Sequence, residues 1–267
     1  MGQTLYWECD FGISGDMAAA SLLDLGADEK ALLAVLKSLP VEGFETEITR
    51  VKKAGLDVCD FNVKLDAAHE NHDHDMEYLH GEGHTHEHED GQAHAHRSYA
   101  EVKEILAGAD MNPRARETAL RIFRVLAEAE ARAHGVDIEE VHFHEVGAVD
   151  SIVDVVAVAV CLDLLDITQV IVPYLCEGRG TVRSQHGILP IPVPAVANIA
   201  ADSGLTLKLT ETMGELVTPT GAAVVAATAT DDSLPEKFAI SNVGMGAGKR
   251  EYDTPGILRA MLIEAVE

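Results

Sequence analysis

Within thirteen residues the chain carries His142, His144, Glu145, Asp150 and Asp154. In an extended segment residues two apart share a face, so His142 and His144 are expected to point the same way. Asp150 and Asp154 are four apart on the apolar segment that follows, which places them on one face of a helix. A carboxylate at Asp150 would also sit near that helix's N-terminus, where negative charge is favoured. Two imidazoles and a carboxylate converging there would suit a first-row transition metal. The alternative is a buried His–Asp network with a helix cap. His142, His144, Glu145 and Asp150 are therefore the candidates for catalysis, and His142, His144 and Asp150 also for metal binding.

A second concentration of ligands lies just upstream. His69, His72, His74, His80, His84, His86, His88, His94 and His96 fall in one 28-residue run with eight acidic residues and no Lys or Arg. Imidazole binds Zn, Ni, Cu and Co, and carboxylates draw divalent cations in. The spacing is irregular, which suits capture of several ions better than one fixed geometry. So polar a segment cannot bury enough apolar surface to fold, and residues 67–97 are expected to be a disordered loop.

Three glycine-bearing turns are candidates for holding an anion. In residues 12–16 a strand-like run turns into a helix at Gly12, Ser14 and Gly15, and backbone N–H groups at such a helix start favour phosphate. Cys9 and Asp16 beside it are possible metal donors. Thr218 and Thr220 flank a second helix start, where capping explains either hydroxyl equally well. Residues 244–250 contain Gly246 and Lys249 in a glycine-spaced run that lacks the Walker spacing, so a hairpin turn competes with a phosphate loop there. His186, alone before a proline run, is a last metal candidate. No GxSxG elbow, Cys–His protease signature or HExxH occurs, so hydrolase chemistry rests on the glycine turns alone.

The elements that must position these residues are of both kinds. Residues 4–7 read as a strand, 17–23 and 28–39 as helices, and 44–65 as two strands joined around Ala54 and Gly55. Ser98 is a plausible N-cap for a helix through Leu106. Asn112 and Pro113 mark the start of a longer helix ending at Gly135, with Glu117–Arg121 and Glu128–Arg132 as i,i+4 pairs. Residues 147–165 are apolar nearly all round, as a central buried helix should be. Residues 170–172 and 205–209 read as strands. Pro190, Pro192 and Pro194 lead to a helix near Ala195, and Thr218 leads to another. Residues 238–243 and 257–263 read as strands flanking a glycine-rich turn. The expected fold is an α/β (α+β) sandwich of mixed strands and helices, interrupted by the His-rich loop.

The 267 residues include 47% apolar side chains, enough for a sizeable core, and the formal charge is −25. Eight of those charges come from the His-rich run, and the remainder is still acidic. Nucleic acid and anionic membrane are thereby disfavoured as partners. Four cysteines without paired spacing suggest a reduced, cytoplasmic location. The N-terminus shows no secretory signal, and the most apolar stretch, 152–165, is too short to span a bilayer.

Taken in order, several of these motifs resemble the N-terminal part of the LarC family of nickel insertion proteins. They are residues 12–17, the acidic His-rich run, residues 142–154, His186 with the proline run to Pro192, residues 214–222 and residues 244–248. The resemblance runs the length of the chain and implies a single domain over 1–267 with an insertion at 67–97. It implies insertion of Ni(II) into pyridinium-3,5-bisthiocarboxylic acid mononucleotide, forming two Ni–S bonds and one Ni–C bond. It also implies CTP with Mn(II) or Mg(II), bound through a C-terminal chain of the same family, and it leaves a homo-oligomer possible. Phe11 departs from the family pattern, which has serine there. A nickel or zinc buffer that uses only the His-rich run is the competing reading.

Overall fold

The computed structural model describes residues 2–66, 76, 79, 97–143, 149–184 and 186–266. Its centre is a six-stranded mixed sheet in the order β2-β3-β11-β12-β1-β6. The strands are β1 (Gln3–Glu8), β2 (Phe44–Lys53), β3 (Leu56–Leu65), β6 (Ile167–Ile171), β11 (Phe238–Ala247) and β12 (Ile257–Ala265). β1 runs antiparallel to β12 and parallel to β6. Three short ladders complete the strands: β4 (Arg97–Ser98) with β5 (His142–Phe143), β7 (Leu175–Arg179) with β10 (Leu207–Met213), and β8 (Thr181–Ser184) with β9 (Gly187–Pro190).

Helix α1 (Gly15–Asp24) lies on β11, β3 and β12, and α2 (Glu29–Ser38) follows it. Behind α1 stands α5 (Val149–Leu164), flanked in turn by α4 (Pro113–His134) and α7 (Pro219–Thr228); α3 (Tyr99–Gly108) and α6 (Pro194–Ser203) pack on α4. From Ile152 to Leu162, α5 is buried at all but one position, Asp154 being half-covered by residue and sealed at its carboxyl. A helix apolar on every side belongs between layers, as the sequence indicated. One continuous core joins Trp7 of the sheet, Leu22 of α1, Phe123 of α4 and Val156 of α5. The mixed α/β architecture thus agrees with the reading of the sequence.

Local chemistry explains the boundaries. Asp28 caps α2 by accepting from the N–H groups of Lys30 and Ala31. Ser98 and Glu101 form a reciprocal capping box on α3, and such caps contribute about 1 kcal/mol. Gly135 closes α4 at φ 69°, in the left-handed region. Ala54 (φ 49°) and Gly55 (φ 81°) make the two-residue turn between β2 and β3.

Four expectations change. Asn112 precedes α4 but does not cap it with its side chain; its Nδ2 donates to Asp163 Oδ2 at 2.7 Å instead. Glu128 pairs with Arg124, and Arg132 with Asp202, rather than with each other. Residues 244–247 are not a turn but the last part of β11. A Cβ at Gly244 would lie 2.3 Å from the Ser21 carbonyl oxygen, and one at Gly246 2.1 Å from that of Met17. These glycines let α1 sit directly on the strand, so Gly246 serves close helix–sheet approach rather than an anion. Finally, β7 and the β8–β9 hairpin occupy residues assigned no regular structure from the sequence. Among the described residues, no helix is long and apolar enough to cross a membrane.

The nine histidines of the run fall outside the described residues. Within residues 67–97 the described positions are Met76, Leu79 and Arg97. Leu79 is buried in the main core, and Arg97 is already in β4, facing Phe143.

Candidate functional site

Helices α1, α5 and α7 bring their N-terminal ends together, and glycine makes this possible. A Cβ on Gly15 would be 2.7 Å from Asp154 Oδ2 and 2.9 Å from Thr220 Cγ2. One on Gly221 would be 2.2 Å from the Ile13 carbonyl oxygen. Gly12 (φ 86°) turns the chain out of β1 with its Cα against the Leu216 carbonyl, and Ile13 bridges Val217. Thr218 Oγ1 caps α7 by accepting from Gly221 N–H at 3.1 Å.

In front of these ends lies a cleft open to solvent. Ser14, Asp16 and Thr218 line it together with Lys249, Arg250, Tyr252 and Phe11. The cleft therefore gathers Ser14, Asp16, Thr218 and Lys249 from three separate stretches singled out in the sequence, with Gly12, Gly15 and Thr220 packed immediately behind.

The electrostatics differ from those of a phosphate turn. The donors at the start of α1 are already taken by carboxylates: Asp16 N–H by Asp154, and Met17 N–H by Asp16 Oδ1 at 2.9 Å. Ser14 Oγ also donates to Asp16 Oδ1. Asp16 Oδ2 and Asp154 Oδ1 are buried and have no hydrogen-bond partner among the described residues. Burial, reinforced by the neighbouring Asp16 and Asp150 charges, raises the Asp154 carboxyl well above the usual range. The start of α1 is acidic and suits a cation rather than an anion. Two cations also line the cleft, each neutralised within the chain: Lys249 pairs with Asp60 and Arg250 with Glu215.

One buried glutamate braces the cleft from behind. Glu177 Oε1 accepts from Gly178, Leu216 and Val217 N–H at 2.7, 2.8 and 3.2 Å. It thereby fixes the backbone that leads into Thr218. Burial raises its pKa to about 7 despite those three donors, and Oε2 has no partner among the described residues.

The remaining sequence candidates lie elsewhere. His142 is exposed on β5, opposite Ser98 and near Glu101, while Asp150 begins α5 beside Asp154. His144 and Glu145 fall outside the described residues. Cys9 is buried, and burial pushes its thiol far up. His186 is exposed at the tip of the β8–β9 hairpin, its ring centroid 5.0 Å from that of His134. Among the described residues, no three His, Cys, Asp or Glu side chains form a ready metal cage. Glu177, Glu215, Arg250 and Tyr252 were not identified from the sequence. Arg250 alone had a signal, as the second cation after the glycine run.

Fold and cleft together define an α/β protein with a bipolar site for a small charged ligand. Comparison with known proteins makes this specific. The family profile described as nickel insertion protein matches residues 5–267, and the chain belongs to that family. The pyridinium-3,5-bisthiocarboxylic acid mononucleotide nickel insertion protein of Alkaliphilus metalliredigens is 52% identical over 99% of this chain. Proteins of the same name from Akkermansia muciniphila and Staphylococcus saprophyticus subsp. saprophyticus are 40% and 34% identical over 99% and 100% of it. The chain spans 61% of the length of each of these relatives. No solved structure matches it.

Proposed function

We propose that this chain acts in the insertion of Ni(II) into pyridinium-3,5-bisthiocarboxylic acid mononucleotide, with the cleft holding the mononucleotide during insertion. The observation that carries this reading is the position of Asp16: a buried carboxylate that lines the same cleft as the cations Lys249 and Arg250. A pyridinium ring is cationic and flat. It suits the acidic wall and the aromatic rims of Phe11 and Tyr252. The phosphate belongs at Lys249 and Arg250, where it would exchange with Asp60 and Glu215 for their cations.

The chemistry requires a proton acceptor. Ni(II) takes electron density from two thiocarboxylate sulfurs and from the ring carbon between them. As the Ni–C bond forms, the C–H bond breaks and the proton must leave. Asp16 Oδ2 is the acceptor we assign. Ser14 and the Met17 N–H fix the other oxygen, so the carboxylate is held in one orientation. His142 stands on the exposed β4–β5 ribbon and is less well placed for this role. CTP with Mn(II) or Mg(II) would act through a C-terminal chain, and the reaction would run in the cytoplasm.

The test combines the 267-residue chain, a C-terminal partner, NiCl2, CTP and the dithio-mononucleotide, with cofactor absorbance as the readout. Asp16→Asn should abolish insertion while leaving mononucleotide binding within about threefold; Lys249→Ala should chiefly raise KM. Full turnover by Asp16→Asn would refute the assignment. A nickel buffer, the competing reading, would bind metal but form no cofactor under any of these conditions.

A further inference from the structure

We infer that His134 and His186, backed by Glu130, form a nickel(II)-binding site at the C-terminal end of α4, built from none of the residues that line the cleft. The inference rests on the nickel-insertion reading for the identity of the metal, but its geometry is independent of the cleft.

Three observations converge. The two imidazole rings are 5.0 Å apart between centroids and tilted by 57°. A metal–nitrogen bond of about 2.1 Å puts a metal about 3.3 Å from each ring centre, and rings 5.0 Å apart then subtend about 100° at the metal. That angle lies between cis-octahedral and tetrahedral geometry, so the spacing of the two rings is one that a single ion bound by both would require. Next, His134 Nε2 faces Glu130 Oε2 at 3.3 Å, one turn back on the same helix. A carboxylate behind one ring nitrogen orients an imidazole and would raise its basicity toward a metal bound at the other nitrogen. Finally, the rings stand at the last turn of a 22-residue helix, where the macrodipole favours a cation. The neighbouring Arg132 is neutralised by Asp202.

The place in the fold matters as well. Asn112, just before α4, is tied to Asp163 in the last turn of α5, and the two helices pack together. α4 therefore leads back along α5, and its last turn lies toward the end of the layer where α5 begins and Gly15 meets Asp154. His186 comes from the opposite side, fixed by the β8–β9 pairing and by its own N–H, which donates to Ser184 Oγ at 3.0 Å. Two protein donors leave coordination positions for water or for an incoming ligand. Such an open site suits transfer of the ion rather than its storage.

The test uses the full chain with the nine histidines of the acidic run replaced by Asn, so that their binding does not mask a single site. Calorimetric titration with NiCl2 should show one remaining site. His134→Asn and His186→Asn should each weaken it at least about tenfold, and the double variant should lose it. Glu130→Gln should weaken it by about tenfold, as expected of an orienting carboxylate. Ligand-field absorbance with Co(II) as a second probe should fall in parallel, with circular dichroism melts unchanged. Identical titrations with and without the two imidazoles would overturn the proposal, as would no nickel binding at all in the Asn-substituted background. Asp16→Asn should keep this site intact, so failure here and failure of the cleft reading appear in different variants.

Discussion

Gly15 and Asp154 touch so closely that a single methyl group would separate α1 from α5: a Cβ on Gly15 would sit 2.7 Å from Asp154 Oδ2 and 2.8 Å from its Cβ. The contact brings Asp16, the next residue, to the cleft wall with its N–H on the Asp154 carboxyl. Gly15→Ala should therefore destabilise the chain by about 1–3 kcal/mol through overpacking. Because Asp16 would shift with it, insertion should fall further than stability predicts. Urea unfolding and the cofactor assay on the same samples check both.

Glu177 should give the protein a measurable pH dependence. Its folded pKa of about 7 lies above the ordinary carboxyl value of 4.5. The native state thus holds a proton that the unfolded chain has lost between those values. Stability from this group is present at low pH and declines as pH rises through that window, then levels off. Glu177→Gln, which mimics the protonated form and keeps the acceptor for Gly178, Leu216 and Val217, should remove this decline. At pH 8 the variant should be more stable than the parent, by at most ~3 kcal/mol. Melting temperatures from pH 5 to 8 decide it; parallel curves for the two proteins would contradict it.

The Arg250–Glu215 pair should behave as a unit. Both side chains are largely sequestered, at 16% and 5% exposure. Arg250→Met leaves Glu215 as a buried unpaired charge and should cost about 3 kcal/mol. Arg250→Met with Glu215→Gln should recover a good part of that cost, since the stranded charge is gone. Denaturant midpoints for the single and double variants measure the recovery.

Replacing the nine histidines of residues 69–96 by Asn should lower nickel stoichiometry and raise the nickel concentration needed for insertion. Deleting the segment is a poorer experiment, because it also removes Leu79 from the core. Unchanged stoichiometry by calorimetry would show that the run does not collect nickel.

What the sequence made legible were features written in neighbouring residues. Asp28, Ser98, Gly135 and Thr218 mark helix ends with local chemistry, and α5 declares its burial through an unbroken apolar run. Ser14, Asp16, Thr218 and Lys249 were picked out one by one, each beside a turn. Their meeting was not legible, because it depends on helices packing closely at residues more than two hundred positions apart, such as Gly15 against Thr220. The glycines at 244 and 246 were misread as a turn for the same reason: a long-range contact with α1 uses the residue that turns also use. Glu177 carries no local signal at all. Its importance comes from accepting N–H groups about forty positions away.

The burial of Leu79 changes what the histidine-rich run is in kinetic terms. With Leu79 in the core and Arg97 in β4, residues 80–96 are held at both ends by folded structure. Six histidines lie on that tether, and the covalent chain keeps each of them within about 30 Å of one anchor or the other. If the run binds nickel, an ion released from it would meet the folded domain at an effective concentration set by the length of chain between the anchors, not by the nickel in bulk solution. Lengthening the tether would dilute that supply without altering a single ligand.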